Sequence, residues 1–208
     1  VRPGDPVAPD SRFAELAGGG RYMAKALDDR VGCAALIEVM KSLKAEPGPN
    51  TVIGVGTVQE EVGLRGAQTS SPQVEPDIGI SLEVGVAGDH PGITTDEAQE
   101  RLGSGPGIFL HDASMMPNPR FRDLFVETAE SEAIPFQYNV LAGYGEDGAE
   151  MQKSRAGAPS INVTVPTRYL HSHSGVIDRS DLDGLVALVA AVVRRLDAGT
   201  VESLRTFD

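Results

Sequence analysis

Cysteine is nearly absent from this 208-residue chain. Cys33 stands alone, so no intramolecular disulfide can form, and the chain suits a reducing compartment, the cytoplasm. Tryptophan is missing and aromatics make up 5% of the residues, which is poor material for sugar-stacking platforms. Lysine occurs only at Lys25, Lys41, Lys44 and Lys153, the arginines are scattered, and the formal net charge is -12. That balance argues against a nucleic-acid partner, which requires clustered Lys and Arg. No apolar run approaches the ~20 residues of a membrane span, and no charged-then-apolar leader opens the chain. Neither membrane association nor a signal segment is expected. What remains is 40% apolar content, sufficient for the core of one domain.

Short apolar runs alternate with amphipathic helices, the signature of an α/β layered domain. Residues 28–45 read as a helix with Cys33, Leu36, Ile37, Met40 and Leu43 on its buried stripe. Pro47-Gly48-Pro49-Asn50 closes it, and 51–59 reads as a buried strand. A short helix over 65–71 ends at Pro72, and strands follow at 77–84 and 107–111. Residues 120–133 form a helix with Phe121, Leu124, Phe125 and Ala129 inward, and 135–141 a strand. A glycine-rich turn, Gly143 to Gly148, leads to a short helix through Arg155 and a strand over 160–165. The last helix starts near Ser180, with Ser180 and Asp183 as a capping box, and buries Leu182, Leu185, Val186, Val189, Val193 and Leu196. Val1 to Ala8 reads as a strand entered from an earlier segment, so the chain is expected to be the remainder of a longer protein.

Glu60-Glu61 follows directly on the apolar run Val52 to Val58. Catalytic groups of open α/β sheets collect at the carboxyl ends of strands. A carboxylate pair there suits one metal ligand and one proton-transfer group. Asp28-Asp29 opens a helix, where acids commonly answer the helix dipole. A ligand role requires one Asp turned inward and its neighbour held elsewhere, through an unusual peptide geometry. Glu83 is a lone acid in the apolar run Ile80 to Val84, where a charge needs a partner or a metal. His171 lies just past strand 160–165, and neutral imidazole is a common zinc ligand. His173 ranks below it, and His90 and His111 read as surface or packing residues. Gly103-Ser104-Gly105-Pro106-Gly107 leads into a strand and has no Walker lysine; no Gly-x-Ser-x-Gly elbow is present. A carboxylate-rich set with one or two His and no Cys suits catalytic zinc, cobalt or manganese.

Three segments in order, Lys25-Ala26-Leu27-Asp28-Asp29-Arg30, Val58-Gln59-Glu60-Glu61-Val62-Gly63 and Arg168-Tyr169-Leu170-His171-Ser172, closely resemble the dinuclear-metal aminopeptidases of the glutamyl and tetrahedral aminopeptidase group. The likeness runs from about Gly4 to Leu196. It implies a three-layer α/β/α sandwich with a mixed, mostly parallel sheet, and two divalent metal ions, zinc foremost. In that pattern Asp28 bridges the two metals, often with a cis bond to Asp29. Glu60 is the general base, Glu61 and His171 are ligands, and Glu83 stands where an Asp usually binds the other metal. Peptide substrates and, at full length, a homo-oligomer are implied. The family's earlier His-x-Asp motif has no counterpart before Asp28, and residues 1–10 resemble the tail of a dimerisation domain, so the chain resembles the C-terminal part of the catalytic domain. Gly145-Glu146-Asp147-Gly148 replaces the usual Gly-Thr-Asp, in a region near the substrate. Two other readings stay open at this point: an inactive relative serving as a binding or assembly subunit, and a glycoside hydrolase (endoglucanase).

Overall fold

The computed structural model describes residues 1–206. Two sheets organise the chain. A small antiparallel one has the order β1 (Ala14–Glu15), β2 (Arg21–Ala24), β7 (Gly175–Asp178). The larger has the order β3 (Gly79–Val86), β6 (Ser160–Thr167), β4 (Gly107–Asp112), β5 (Gln137–Leu141). In it β3 runs parallel to β6 and β4 parallel to β5, while β4 and β6 are antiparallel. The expected mixed, mostly parallel sheet is therefore present. Helices α1 (Leu27–Ala45), α3 (Pro119–Ser131) and α5 (Arg179–Arg195) lie on one face; α4 (Gly148–Met151) lies against β3 and β6 and contacts α2 (Arg65–Val74). A last helix, α6 (Ala198–Arg205), ends the described chain.

The alternation along β6 explains how the sheet is used. Successive side chains of a strand point to opposite faces. Ile161, Val163 and Val165 belong to the main core with Phe121, Phe125, Leu185 and Leu188, while the intervening Asn162 and Thr164 are buried and polar. In β3, Val84 joins the same core, and Ser81 and Glu83 sit in register with Asn162 and Thr164. One face is thus oily and closed by helices; the other is a buried polar surface that needs hydrogen-bonding partners.

Glu100 fills part of that surface. It is fully buried, and its Oε1 accepts hydrogen bonds from Asn139 Nδ2 and Thr164 Oγ1, each 2.5 Å. A Cβ at Gly85 or Gly107 would lie 2.0 or 1.8 Å from its carboxyl oxygens, so both glycines are required by close approach. Glu100 Oε2 and Asn139 Oδ1 are buried acceptors without a donor, a shortage that a proton on Glu100 relieves. Burial raises this carboxyl from 4.5 to about 7, against the lowering effect of its two hydrogen bonds.

Several elements differ from the sequence expectations. Residues 51–59 form no strand among the described elements, and Val52, Ile53, Val55 and Val58 are exposed rather than buried. An apolar pattern reports fitness for a sheet, whereas pairing needs a neighbour, and no described strand lies alongside. Val1 to Ala8 is exposed coil, not a strand. In α1 the buried line is Val31, Ala35, Val39 and Leu43; Cys33 and Ile37 face outward, and Leu36 packs at Gly54. The helix carries apolar residues on two faces, so periodicity alone does not say which one packs on the sheet. Helix α2 runs through Pro72 to Val74. Asp178, not Ser180, caps α5, accepting from the Ser180 N–H at 3.0 Å.

The Glu100 arrangement predicts a pH dependence of stability. Between about 4.5 and about 7 the unfolded chain releases this proton while the folded chain keeps it. The contribution is therefore full below 4.5 and is lost as pH rises through 7. Glu100→Gln keeps the acceptor for Asn139 and Thr164 and adds a donor. It is expected to flatten that slope and stabilise the protein at pH 8 by up to roughly 3 kcal/mol, measured by urea unfolding across this pH range. An unchanged slope in the variant would refute the assignment.

Candidate metal centre

The acidic side chains reach their common pocket through local backbone turns. Segment 51–59 ends in a single 3-10 turn, Glu60–Val62, entered through Gln59 at φ 59°. The Glu60 carbonyl accepts the N–H groups of Gly63 and Leu64 (both 2.9 Å), which locks the turn. At the start of α1 the Asp28–Asp29 peptide is cis, and neither residue has helical φ/ψ. Asp29 turns back to accept the Gly32 N–H at 2.9 Å. A Cβ at Gly32 would lie 2.2 Å from that carboxylate and 2.4 Å from the Leu82 carbonyl, so only glycine fits there. Asp28 points the other way, towards the loop between β6 and β7, where His171 sits at φ 57°.

The result is a compact donor set. His171 Nε2 lies 3.2 Å from Asp28 Oδ2 and 3.7 Å from Glu61 Oε2. One ligand atom from each of Asp28, Glu61 and His171 falls within 4.8 Å of the others. The Tyr144 ring stands 5.6 Å from the His171 imidazole. Asp28, Glu61 and His171 line an open cleft of about 400 Å³ with Lys25, Tyr169 and His173. His173 lines it without joining the donor set, while His90 packs against Tyr169 and His111 lies on β4.

Glu83 and Glu60 belong to the same acidic neighbourhood but not to that triad. Glu83 is 5% exposed and accepts from Ser81 Oγ at 3.1 Å. Burial raises its carboxyl well above 4.5, reinforced by repulsion from Glu146, Asp29, Glu60 and Asp147. Burial, then Glu61 and Asp147, push Glu60 up to about 7. Asp28 rises to about 6 through burial and Glu61, opposed by His171. Asp29 rises to about 8 and Glu146 to about 9, in both cases chiefly through burial. Thr57 Oγ1 donates to Asp147 Oδ2 at 2.6 Å, leaving Asp147 Oδ1 buried without a partner.

Among the described residues no Lys or Arg forms an ion pair with Asp28, Asp29, Glu60, Glu61, Glu83, Glu146 or Asp147. Buried carboxylates crowded this way need protons or cations. Oxygen donors with one imidazole fit a divalent cation of the zinc, cobalt or manganese type. In the sequence Glu146 and Asp147 stand out only as part of a turn near the substrate. Their signal is two acids flanked by Gly145 and Gly148, and it reads equally well as a solvated turn.

Similarity to known proteins agrees with this geometry. The family model described as M42 glutamyl aminopeptidase matches residues 1–188. The FrvX protein of Escherichia coli (strain K12) is 36% identical over the whole chain, which spans 57% of that relative. The TET aminopeptidase structure from the marine sediment archaeon Thaumarchaeota archaeon SCGC AB-539-E09 superposes with TM-score 0.92 at 42% identity, covering 94% of this chain and 55% of that one. The TET1 peptidase of Pyrococcus horikoshii, described as assembling into a tetrahedron or a large octahedral shell, gives TM-score 0.79 at 30% identity, covering 90% of this chain and 54% of its own. The chain thus spans little more than half the length of these relatives, and it belongs to the M42 glutamyl aminopeptidase family.

Proposed function

We propose that the protein is a metal-dependent aminopeptidase that removes the N-terminal residue of peptides in the cytoplasm. The observation that carries this is the convergence of Asp28, Glu61 and His171 on one cation-sized spot in an acidic pocket, within a chain of aminopeptidase family. Asp28, Glu61 and His171 would hold one divalent cation, zinc foremost. A second cation would draw on Asp28 and on Glu83, which lies in the same acidic neighbourhood. Bound cations would supply Lewis acidity and lower the pKa of water.

The protein's own groups do the rest. Glu60, beside Asp28 and Asp147, takes a proton from the attacking water and returns it to the leaving amine. The remaining carboxylates favour the ammonium of a free peptide N-terminus, which restricts cleavage to the end of the chain. The acidic pocket also excludes a C-terminal carboxylate by like-charge repulsion. Assembly into a homo-oligomer is part of the same proposal, by analogy with the shell-forming relative.

Glu60→Gln is expected to retain metal and lower kcat by about 10²–10⁴-fold, measured on an aminoacyl-p-nitroanilide series alongside elemental analysis. Turnover close to wild type would remove Glu60 from the mechanism. His171→Ala deletes a direct ligand. It should weaken Zn²⁺ binding by at least ~100-fold, the upper end of what losing an outer hydrogen-bond partner costs. Equal affinities by isothermal titration would show that the cation is bound elsewhere.

A further inference from the structure

We propose that Asp89 and Arg168 are positioning residues: their ion pair, with the His90–Tyr169 ring contact beside it, clamps the His171 loop to the exit of β3. This rests on the reading of His171 as a metal ligand. It assigns the aim of that ligand to a pair outside the donor set.

The His171 loop has few hydrogen bonds of its own. Arg168 and Val176 exchange two backbone hydrogen bonds (2.9 and 3.1 Å) and close its base. Inside, Tyr169 and His171 both adopt left-handed backbone conformations, φ 59° and 57°, which non-glycine L-residues adopt only when their surroundings impose them. The internal bonds are few: Ser172 N–H to the Tyr169 carbonyl at 3.1 Å, Ser172 Oγ to the Ser174 carbonyl at 3.1 Å, and Ser174 N–H to Ser172 Oγ at 3.4 Å. From outside, Leu170 packs against the core and Ser11 Oγ donates to the His173 carbonyl at 3.3 Å. The His171 side chain is 51% exposed, so its contacts with Asp28 and the Tyr144 ring leave half of it open to solvent.

The charged restraint comes from the segment after β3. Arg168 Nε and Nη2 donate to Asp89 Oδ1 and Oδ2, each at 2.7 Å, in a bidentate fork. Such a fork defines geometry as well as charge. The two side chains are only 22% and 14% exposed, so the pair is shielded from solvent screening. Asp89 Oδ2 also accepts the Leu102 N–H at 3.2 Å, which fixes the acceptor. Burial alone would raise the Asp89 carboxyl; the hydrogen bonds and charge of Arg168 hold it below the usual range. The next residue of each segment repeats the contact, His90 and Tyr169 placing their ring centroids 4.6 Å apart. The Ala87 N–H reaches the Thr167 carbonyl at 3.0 Å, continuing the β3–β6 ladder to the start of this clamp. Glu83 and His171 therefore lie on two segments joined at their exits.

The test uses Asp89→Asn and Arg168→Lys, which keep size or charge but lose the fork, and the double variant. In the metal-free protein, the His171 imidazole NMR signals of each single variant are expected to shift and broaden. With Co²⁺, each should bind about 10-fold more weakly, with altered visible absorption and a kcat loss larger than any KM change. The double variant should be no worse than either single one, since one interaction is removed in all three. If His171 signals and Co²⁺ affinity match wild type in Asp89→Asn and in Arg168→Lys, even with a lower unfolding midpoint, the pair is a structural staple and the proposal fails. The metal-free NMR readout is independent of the ligand assignment, which His171→Ala tests separately.

Discussion

Seven carboxylates gathered at one end of the larger sheet, with His171 as the imidazole in contact, set the terms for the rest of this molecule. Burial and mutual repulsion push Asp28, Asp29, Glu60, Glu83 and Glu146 above their ordinary range, and burial with Glu150 does the same to Asp147. A folded chain tolerates such a cluster only when charge is supplied or protons are retained. The backbone is shaped around the need. Asp28 and Asp29 depart from helical geometry, Gly32 yields its side chain to Asp29 and Leu82, and Glu60 and Glu61 occupy a turn that sends them to different neighbours.

The two faces of the sheet divide the labour. The apolar face, closed by α1, α3 and α5, carries the main hydrophobic core. The polar face is built from Ser81, Glu83, Asn139, Asn162 and Thr164 and is partly satisfied by side chains such as Glu100 and Asp112, the latter accepting from Asn162 Nδ2 at 2.8 Å, while Asn139 Oδ1 and Asn162 Oδ1 have no donor. Glu83 belongs to this face, so its burial follows from strand parity rather than from a special pocket. The same parity brings it within the electrostatic reach of Glu146.

Much of the site was legible because its residues break local rules. Adjacent acids at a helix start and after an apolar run are conspicuous in one dimension, and Asp28, Glu61 and His171 do converge. Glu146 and Asp147 were hidden because acids between glycines are ordinary turn chemistry. The fold was legible where periodicity is strong, as in α3 and α5, and less so where pairing decides. Residues 51–59 have the composition of an interior strand but no ladder among the described residues. The strands β1, β2 and β7 are too short to mark themselves in composition. The Arg168–Asp89 fork joins positions 79 residues apart in sequence, a distance at which spacing carries no signal.

The most direct test of the central claim is anomalous diffraction at the zinc edge from crystals of the protein soaked in Zn²⁺. The account predicts a peak bounded by Asp28 Oδ2, Glu61 Oε2 and His171 Nε2. Density elsewhere with nothing between these three atoms would contradict it.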